Sequence, residues 1–157
     1  MRLLLVPLMV LALVAGCSGG SDGSAGPTAS AEGPDDMLKR VLGRHFKGQY
    51  RLAYDDLHPA HQALVSRDNY AYCLSRVLTK ANLRTVTTLK IADTPLAREG
   101  IPEKQAKEVT LRVTAAFGNM RDSAAQSFRA VRIGGRWAWI LPATDIPAYR
   151  AGRCPAS

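Results

Sequence analysis

The chain has 157 residues and a formal net charge of +8 at pH 7, with 21 Lys and Arg residues against 13 Asp and Glu residues. This length suits a single domain with one hydrophobic core, and the sequence contains no internal repeat. None of the three cysteines belongs to a Cys-x-x-Cys pair, which argues against redox catalysis and against a zinc site.

The first element is an apolar segment at the N-terminus. Arg2 precedes Leu3 to Val14, a run without charge. A helix needs about 20 residues to span a bilayer, so this run is too short to do so. A short basic region, an apolar run and small residues at its end are typical of a signal peptide. Residues 1–16 are therefore predicted to be one.

A cysteine stands directly after this segment. Val14-Ala15-Gly16-Cys17 resembles the lipobox of bacterial lipoproteins, and this resemblance implies that Cys17 is lipidated and becomes the first mature residue. The alternative is an ordinary secretory signal with an incidental cysteine. The following residues hold no large apolar side chain, so residues 17–33 are predicted to be the lipidated cysteine and a flexible tether. The globular domain is then 34–157.

Helical patterns fill the first half of this domain. Pro34 followed by two acids suits the start of a helix. A second, short helix is predicted over 50–57, ending before Pro59, and a further helical turn over 60–65. Ser66 is the predicted N-cap of the next helix, in which Cys73 lies on the apolar face.

From Leu83 onward the sequence has the composition and alternation of strands. Val109, Leu111, Val113, Ala115 and Phe117 alternate with other residues and are predicted to face the core. Strands are predicted over 83–92, 109–117, 124–133 and 137–141, with a polar tail after them. Helices followed by an antiparallel meander predict an α+β domain, with N-terminal helices packed on a curved antiparallel four-stranded sheet.

Cys73 and Cys154 are the two cysteines that remain besides Cys17. Disulfides persist outside the cytoplasm, and an even number of cysteines favours pairing. We therefore expect a Cys73–Cys154 disulfide that holds the C-terminal tail against a helix.

Three segments, Val41–Leu57, Ser66–Tyr70 and Gly135–Trp139, resemble patterns of the NTF2-like superfamily, also called SnoaL-like or cystatin-like cone folds. The resemblance covers roughly residues 35–145. It implies a conical pocket between the helices and the sheet. In lipoproteins such a domain is often a non-catalytic module, whereas ketosteroid isomerase-like members place carboxylates and tyrosines inside the cone for proton transfer.

Tyr54, Trp137 and Trp139 are the candidate pocket residues. The two tryptophans are on the same face of one strand and either form an aromatic floor for a ligand or close the core. Tyr54 is interpreted as a core residue whose hydroxyl finds a partner, and Asp55 and Asp56 as residues that face water or cap a turn. The inward strand positions carry no acid or base. No catalytic residue and no cofactor is therefore assigned.

Arg129, Arg132 and Arg136 form a possible landing patch for an anionic ligand or partner; alternatively, they only keep the outer face of the sheet soluble. His58 and His61 lie in a turn between helices, where capping or solvated histidines are ordinary. A third ligand with suitable spacing is missing, so no metal site is predicted.

The predicted function is that of a lipid-anchored protein on the extracytoplasmic face of the cell membrane, with a non-catalytic binding or accessory domain. Its partners are the membrane, through the lipid, and a protein or an anionic envelope component that suits its basic charge. The export signal argues against nucleic acid. The alternatives are a small-molecule pocket-binding protein and an isomerase- or dehydratase-like enzyme.

Overall fold

The computed structural model describes residues 32–77 and 81–156. The predicted signal peptide, Cys17 and most of the predicted tether lie outside the described residues. The described elements, in chain order, are α1 (Pro34–Phe46), α2 (Tyr50–Tyr54), α3 (Pro59–Gln62), α4 (Arg67–Val77), β1 (Asn82–Pro95), β2 (Gln105–Phe117), β3 (Met120–Ile133), β4 (Arg136–Ile140) and α5 (Ile146–Arg150). Among them no helix has the length and apolar character required to cross a bilayer.

The sheet is an antiparallel meander of four strands in the order β1-β2-β3-β4. Gly134 and Gly135 connect β3 to β4 with positive φ angles of 53° and 85°, the conformation of a two-residue type I′ hairpin turn. Within the described part of the chain, four helices precede the sheet. The predicted α+β class, with a four-stranded antiparallel sheet and N-terminal helices, is confirmed.

Helix α1 is tied to the sheet by its first turn. Asp35 accepts hydrogen bonds from Lys39 Nζ and from Thr88 Oγ1 of β1, both at 2.8 Å. The Lys39 ammonium contributes most to holding the pKa of Asp35 below its usual range. At the start of α4, the Asn69 amide donates to Ser66 Oγ at 3.2 Å, so Ser66 caps the helix.

The main core lies between the helices and one face of the sheet. Its fully buried members include Met37 and Leu38 of α1, Tyr70 of α4, and Val109 and Leu111 of β2. A second, smaller cluster lies on the opposite face, where the β1–β2 loop and α3 cover part of the sheet; its residues are Leu96, Ile101, Ala106, Val131 and Ile140. The sheet is thus covered on both faces in the region where the β1–β2 loop and α3 lie.

Three sequence predictions need correction. Helix α2 ends at Tyr54 rather than at Leu57, because the chain after it pairs with β4. Phe117 is 43% exposed, since the tip of the β2–β3 hairpin extends beyond the helices. The C-terminal segment is not only a polar tail: it contains α5, whose Tyr149 enters the main core.

The Sγ atoms of Cys73 and Cys154 are 2.06 Å apart and their Cα atoms 5.2 Å apart, the arrangement of a disulfide bond. Cys73 is buried in α4, and Cys154 follows α5. The bond closes a loop of sequence separation 81, and in the unfolded chain this loop contains the whole segment that forms the sheet.

Replacing Cys154 by Ser is expected to lower the free energy of unfolding by about 4 kcal/mol, the loop-closure contribution for a loop of this length. Cys154 is preferred to the buried Cys73 because its replacement leaves less of a cavity. Denaturant unfolding of the variant and of the wild type, with and without reductant, measures the loss. The Cys17→Ala protein is the control and should unfold as the wild type does. Titration of two free thiols in that control, under non-reducing conditions, would contradict the pairing.

Candidate functional site

The segment after α2 forms a short strand-like contact with the edge of the sheet. Leu57 and Trp139 form an isolated parallel bridge. The His58 amide donates to the Trp139 carbonyl oxygen at 2.9 Å, and the Trp139 amide donates to the Asp56 carbonyl oxygen at 3.0 Å. This bridge places the turn that carries His58 and His61 against the end of β4.

Asp56 links this segment to α1. Its carboxylate accepts hydrogen bonds from Arg40 Nη2, at 3.0 Å, and from Arg44 Nη1. The side chain of Asp56 is only 16% exposed, so the prediction that it faces water is wrong. Asp55 is more exposed and pairs with Arg67. The difference arises because two arginines of α1 point towards Asp56 at the site of the bridge.

Tyr54, Trp137 and Trp139 all contribute to the main core. The Tyr54 hydroxyl lies 2.9 Å from the carbonyl oxygens of Gln62 and Val65, which lets it donate to that turn. Trp139 is 7% exposed, whereas Trp137 is only partly buried. The tryptophans share a face of β4, and Trp139 reaches deeper between the helices and the sheet.

A histidine and a tyrosine form the polar centre of the core. His45 Nε2 and the Tyr70 hydroxyl are 2.7 Å apart, and the Trp139 ring meets the His45 ring edge-on at 5.8 Å between centroids. Burial lowers the pKa of His45 to about 4 and raises the pKa of Tyr70 far above its ordinary value. Both groups are therefore neutral at pH 7 and share a hydrogen bond inside the core.

His58 is buried and serves as the N-cap of α3. Its Nδ1 accepts the Ala60 amide at 3.0 Å, and its Nε2 lies 3.1 Å from Glu103 Oε2. Because Nδ1 accepts a backbone N–H, the proton resides on Nε2, which donates to the carboxylate. The expectation of a capping histidine holds for this residue, and the expectation of a solvated one does not.

His61 is also buried, with 2% of its surface exposed, and was not recognised as a site residue from the sequence. Its Nδ1 accepts the Leu141 amide at 2.9 Å, so the proton of the neutral ring resides on Nε2. Burial is the main cause that lowers the pKa of His61 to about 4, and the charges of His58 and Arg98 act in the same direction.

Three buried side-chain nitrogens have no hydrogen-bond partner among the described residues: His61 Nε2, Arg98 Nε and Trp139 Nε1. In these protonation states each of the three atoms is a donor and none is an acceptor. A buried donor left without an acceptor costs about 1–3 kcal/mol. Native proteins keep few such groups, and each calls for an explanation.

The residues that carry these donors line two neighbouring clefts. The α3–α5 cleft, of about 350 Å³, lies between α3, the β1–β2 loop and α5, and contains His61, Arg98, Glu99 and Arg150 in its wall. The β4-end cleft, also of about 350 Å³, contains Arg98, Glu108, Phe128, Arg129, Trp139, Ile140, Leu141 and Pro142. Arg98 and Ala143 line both clefts. The two clefts therefore meet at Arg98.

Each cleft also has an ion pair in its wall. Arg150 Nη2 lies 3.1 Å from Glu99 Oε2 in the α3–α5 cleft. Arg129 Nη2 lies 3.2 Å from Glu108 Oε2 in the β4-end cleft. No ion pair between described residues includes Arg98, which leaves its charge uncompensated at the junction.

The structure does not bring Arg129, Arg132 and Arg136 together as one patch. Arg129 pairs with Glu108, while Arg132 stands opposite Trp137 and Arg136 opposite Ile133 in the β3–β4 register. Since side chains alternate between the faces of a sheet, Arg129 and Arg132 lie on opposite faces. Of the three, Arg129 contributes to the clefts defined above.

Within residues 32–77 and 81–156, no group of three His, Cys, Asp or Glu side chains has an arrangement that would hold a metal ion. Comparison with protein-family models, with curated proteins and with solved structures finds no match for the chain. The candidate site therefore rests on the geometry of its own residues.

Acid should destabilise the fold through its buried histidines. The folded pKa of His45, about 4, lies below the value of 6.5 that it has when exposed, so the unfolded chain binds the proton first. The stability that neutral His45 contributes is complete above pH 6.5 and is lost as the pH falls towards 4. Between pH 7 and pH 5 this histidine should account for a loss of about 2 kcal/mol.

Denaturant unfolding at both pH values measures this loss. The free energy of unfolding should fall between pH 7 and pH 5 in both the wild type and His45→Gln. The fall should be smaller in His45→Gln by about 2 kcal/mol. Tyr70→Phe is the matched control, since it removes the hydrogen bond to His45 but leaves the histidine buried and its pH dependence in place. Equal pH dependence in the wild type and in His45→Gln would contradict the assignment.

Proposed function

We propose that the protein is a lipid-anchored protein of the cell envelope whose domain binds a ligand or a partner on the extracytoplasmic side of the membrane, without catalysis. The observation that carries the anchor is the sequence Val14-Ala15-Gly16-Cys17, which stands between an uncharged apolar run and a Gly- and Ser-rich segment. This order is the one a lipoprotein needs: a signal, a lipidated cysteine and a spacer.

The described domain supports an oxidising location. Cys73 and Cys154 lie at the distance of a disulfide, and such bonds persist outside the cytoplasm. The basic charge of the chain suits a surface that lies close to anionic lipid headgroups or acidic wall polymers. Both features agree with a domain held beside a membrane.

We further propose that the domain is a filled NTF2-like cone. The order of helices followed by an antiparallel meander supports this, as do the two register shifts between β1 and β2, because bulges bend a sheet. The space between the helices and the sheet is occupied by Tyr54, Tyr70, Trp139 and His45. In a cone filled by its own aromatic side chains, binding takes place at the periphery rather than inside.

The same packing supports a non-catalytic role. The groups best placed for proton transfer in the core, His45 and Tyr70, bond to each other and are held neutral by burial. General acid–base catalysis requires a group that reaches substrate and exchanges a proton near the working pH. Here both groups serve the packing of the core.

Binding of a small molecule is the second candidate function, and one observation favours it. The three described residues that carry an unpaired buried donor all line the two clefts that meet at Arg98. The clefts are large enough for a small ligand. This role is compatible with the lipid anchor.

Replacing Cys17 by Ala tests the anchor. The variant should either be released from the membrane fraction or accumulate as a precursor that keeps residues 1–16, and in both cases it should lose incorporation of a labelled fatty acid. Ser18→Ala is the matched control and should behave as the wild type does. Fractionation, intact mass and labelling provide the readout. Membrane retention and an unchanged mass in Cys17→Ala would reject lipidation at this residue.

A further inference from the structure

We propose that the two clefts form one binding site for a small organic oxyanion, with its charged group held by His61 and Arg98 and its apolar body beside Trp139. The inference rests on the binding role proposed above and is independent of the lipid anchor. It names the class of ligand that the domain takes.

The unpaired donors require a ligand with acceptor oxygens, and the charge of Arg98 favours an anionic one. His61 Nε2, Arg98 Nε and Trp139 Nε1 present hydrogens and no lone pairs. A metal ion or an ammonium group has no lone pair that could accept these hydrogens, whereas the oxygens of a carboxylate or phosphate group have. The uncompensated guanidinium of Arg98 stands where the clefts meet, and a charge-assisted bond from it to an oxyanion is among the stronger hydrogen bonds.

The surroundings of His61 set the size of the ligand. Its ring is 98% buried, yet it forms part of the wall of the α3–α5 cleft. A flat macromolecular surface cannot enter a cleft to that depth, so a ligand for His61 has to present a small projecting group such as a carboxylate or phosphate. The acids in the walls, Glu99 and Glu108, are bound to Arg150 and Arg129 and so repel an incoming anion less than free carboxylates would.

The β4-end cleft supplies the apolar part of the site. Phe128, Ile140, Leu141 and Pro142 line it together with Trp139. A ligand with an alkyl or ring body can bury that body here while its oxyanion reaches Arg98. Acids with an apolar body should therefore bind more tightly than small inorganic anions.

The test is a titration of the full-length protein, purified in detergent, with sodium hexanoate, sodium acetate and sodium phosphate at constant ionic strength maintained with NaCl. The chain has two tryptophans, and Trp137 serves as an internal reference for Trp139. Hexanoate should shift the Trp139 indole N–H signal and the His61 ring signals in a saturable manner, with an affinity at least tenfold higher than that of acetate. The Trp137 indole signal should stay unchanged.

Two variants connect the titration to the site. Arg98→Gln should weaken hexanoate binding at least tenfold, while Arg132→Gln, which removes an exposed arginine of the same sheet, should leave it unchanged. If Arg98→Gln does not fold, Arg98→Lys keeps the charge but lacks the Nε donor, and it should also weaken binding. Circular dichroism of each variant verifies the fold.

Several outcomes would overturn the inference. They are the absence of saturable shifts, shifts that NaCl alone reproduces, phosphate binding that exceeds hexanoate binding, and equal weakening by Arg98→Gln and Arg132→Gln. A protein that requires Cys17 for membrane retention but fails this titration would reject the oxyanion site while the anchor stands. A protein that binds hexanoate but is not lipidated would support the oxyanion site and reject the anchor.

Discussion

The rest of the structure depends on the parallel bridge between residues 56–58 and β4. Two backbone hydrogen bonds, from His58 to Trp139 and from Trp139 to Asp56, join the helical half of the chain to the edge of the sheet. The edge strand thereby gains partners for the amide and the carbonyl oxygen of Trp139, which would otherwise be open. Arg40 and Arg44 of α1 also donate hydrogen bonds to the carboxylate of Asp56. Helix α1 therefore holds the same segment in place. Trp139 is consequently locked between the two layers.

Polar groups around His45 and Tyr54 are paired, whereas two buried donors near the end of β4 are not. Inside, the Tyr54 hydroxyl reaches the turn that contains Gln62, and His45 bonds to Tyr70. At the end of β4, Trp139 Nε1 and His61 Nε2 find no acceptor among the described residues. Burial of unpaired donors costs free energy that an apolar residue would avoid. Because the residues that carry these donors line two clefts, the cost falls where a ligand can offset it.

The sequence predicted the elements that depend on local patterns. Alternation over Val109 to Ala115 located a strand, and Ser66 located the start of α4. It missed features that depend on distant partners. Phe117 fits the inward pattern, but the helices do not extend over it, and α5 was missed because its segment looks like a polar tail. The burial of His61 depends on the Leu141 amide, 80 residues away in sequence. No property of the local sequence reports that contact.

His58 and His61 provide an internal comparison that local sequence alone could not. Both are buried in the same turn, both accept a backbone amide at Nδ1, and both therefore present a proton on Nε2. The fold provides Glu103 as the acceptor for His58. For His61, one turn of helix further on, it provides a cleft and the guanidinium of Arg98, which repels a proton and attracts an anion. The two rings have the same chemistry, so the missing acceptor at His61 reflects the arrangement around it, and that arrangement suits an anion supplied from outside the chain.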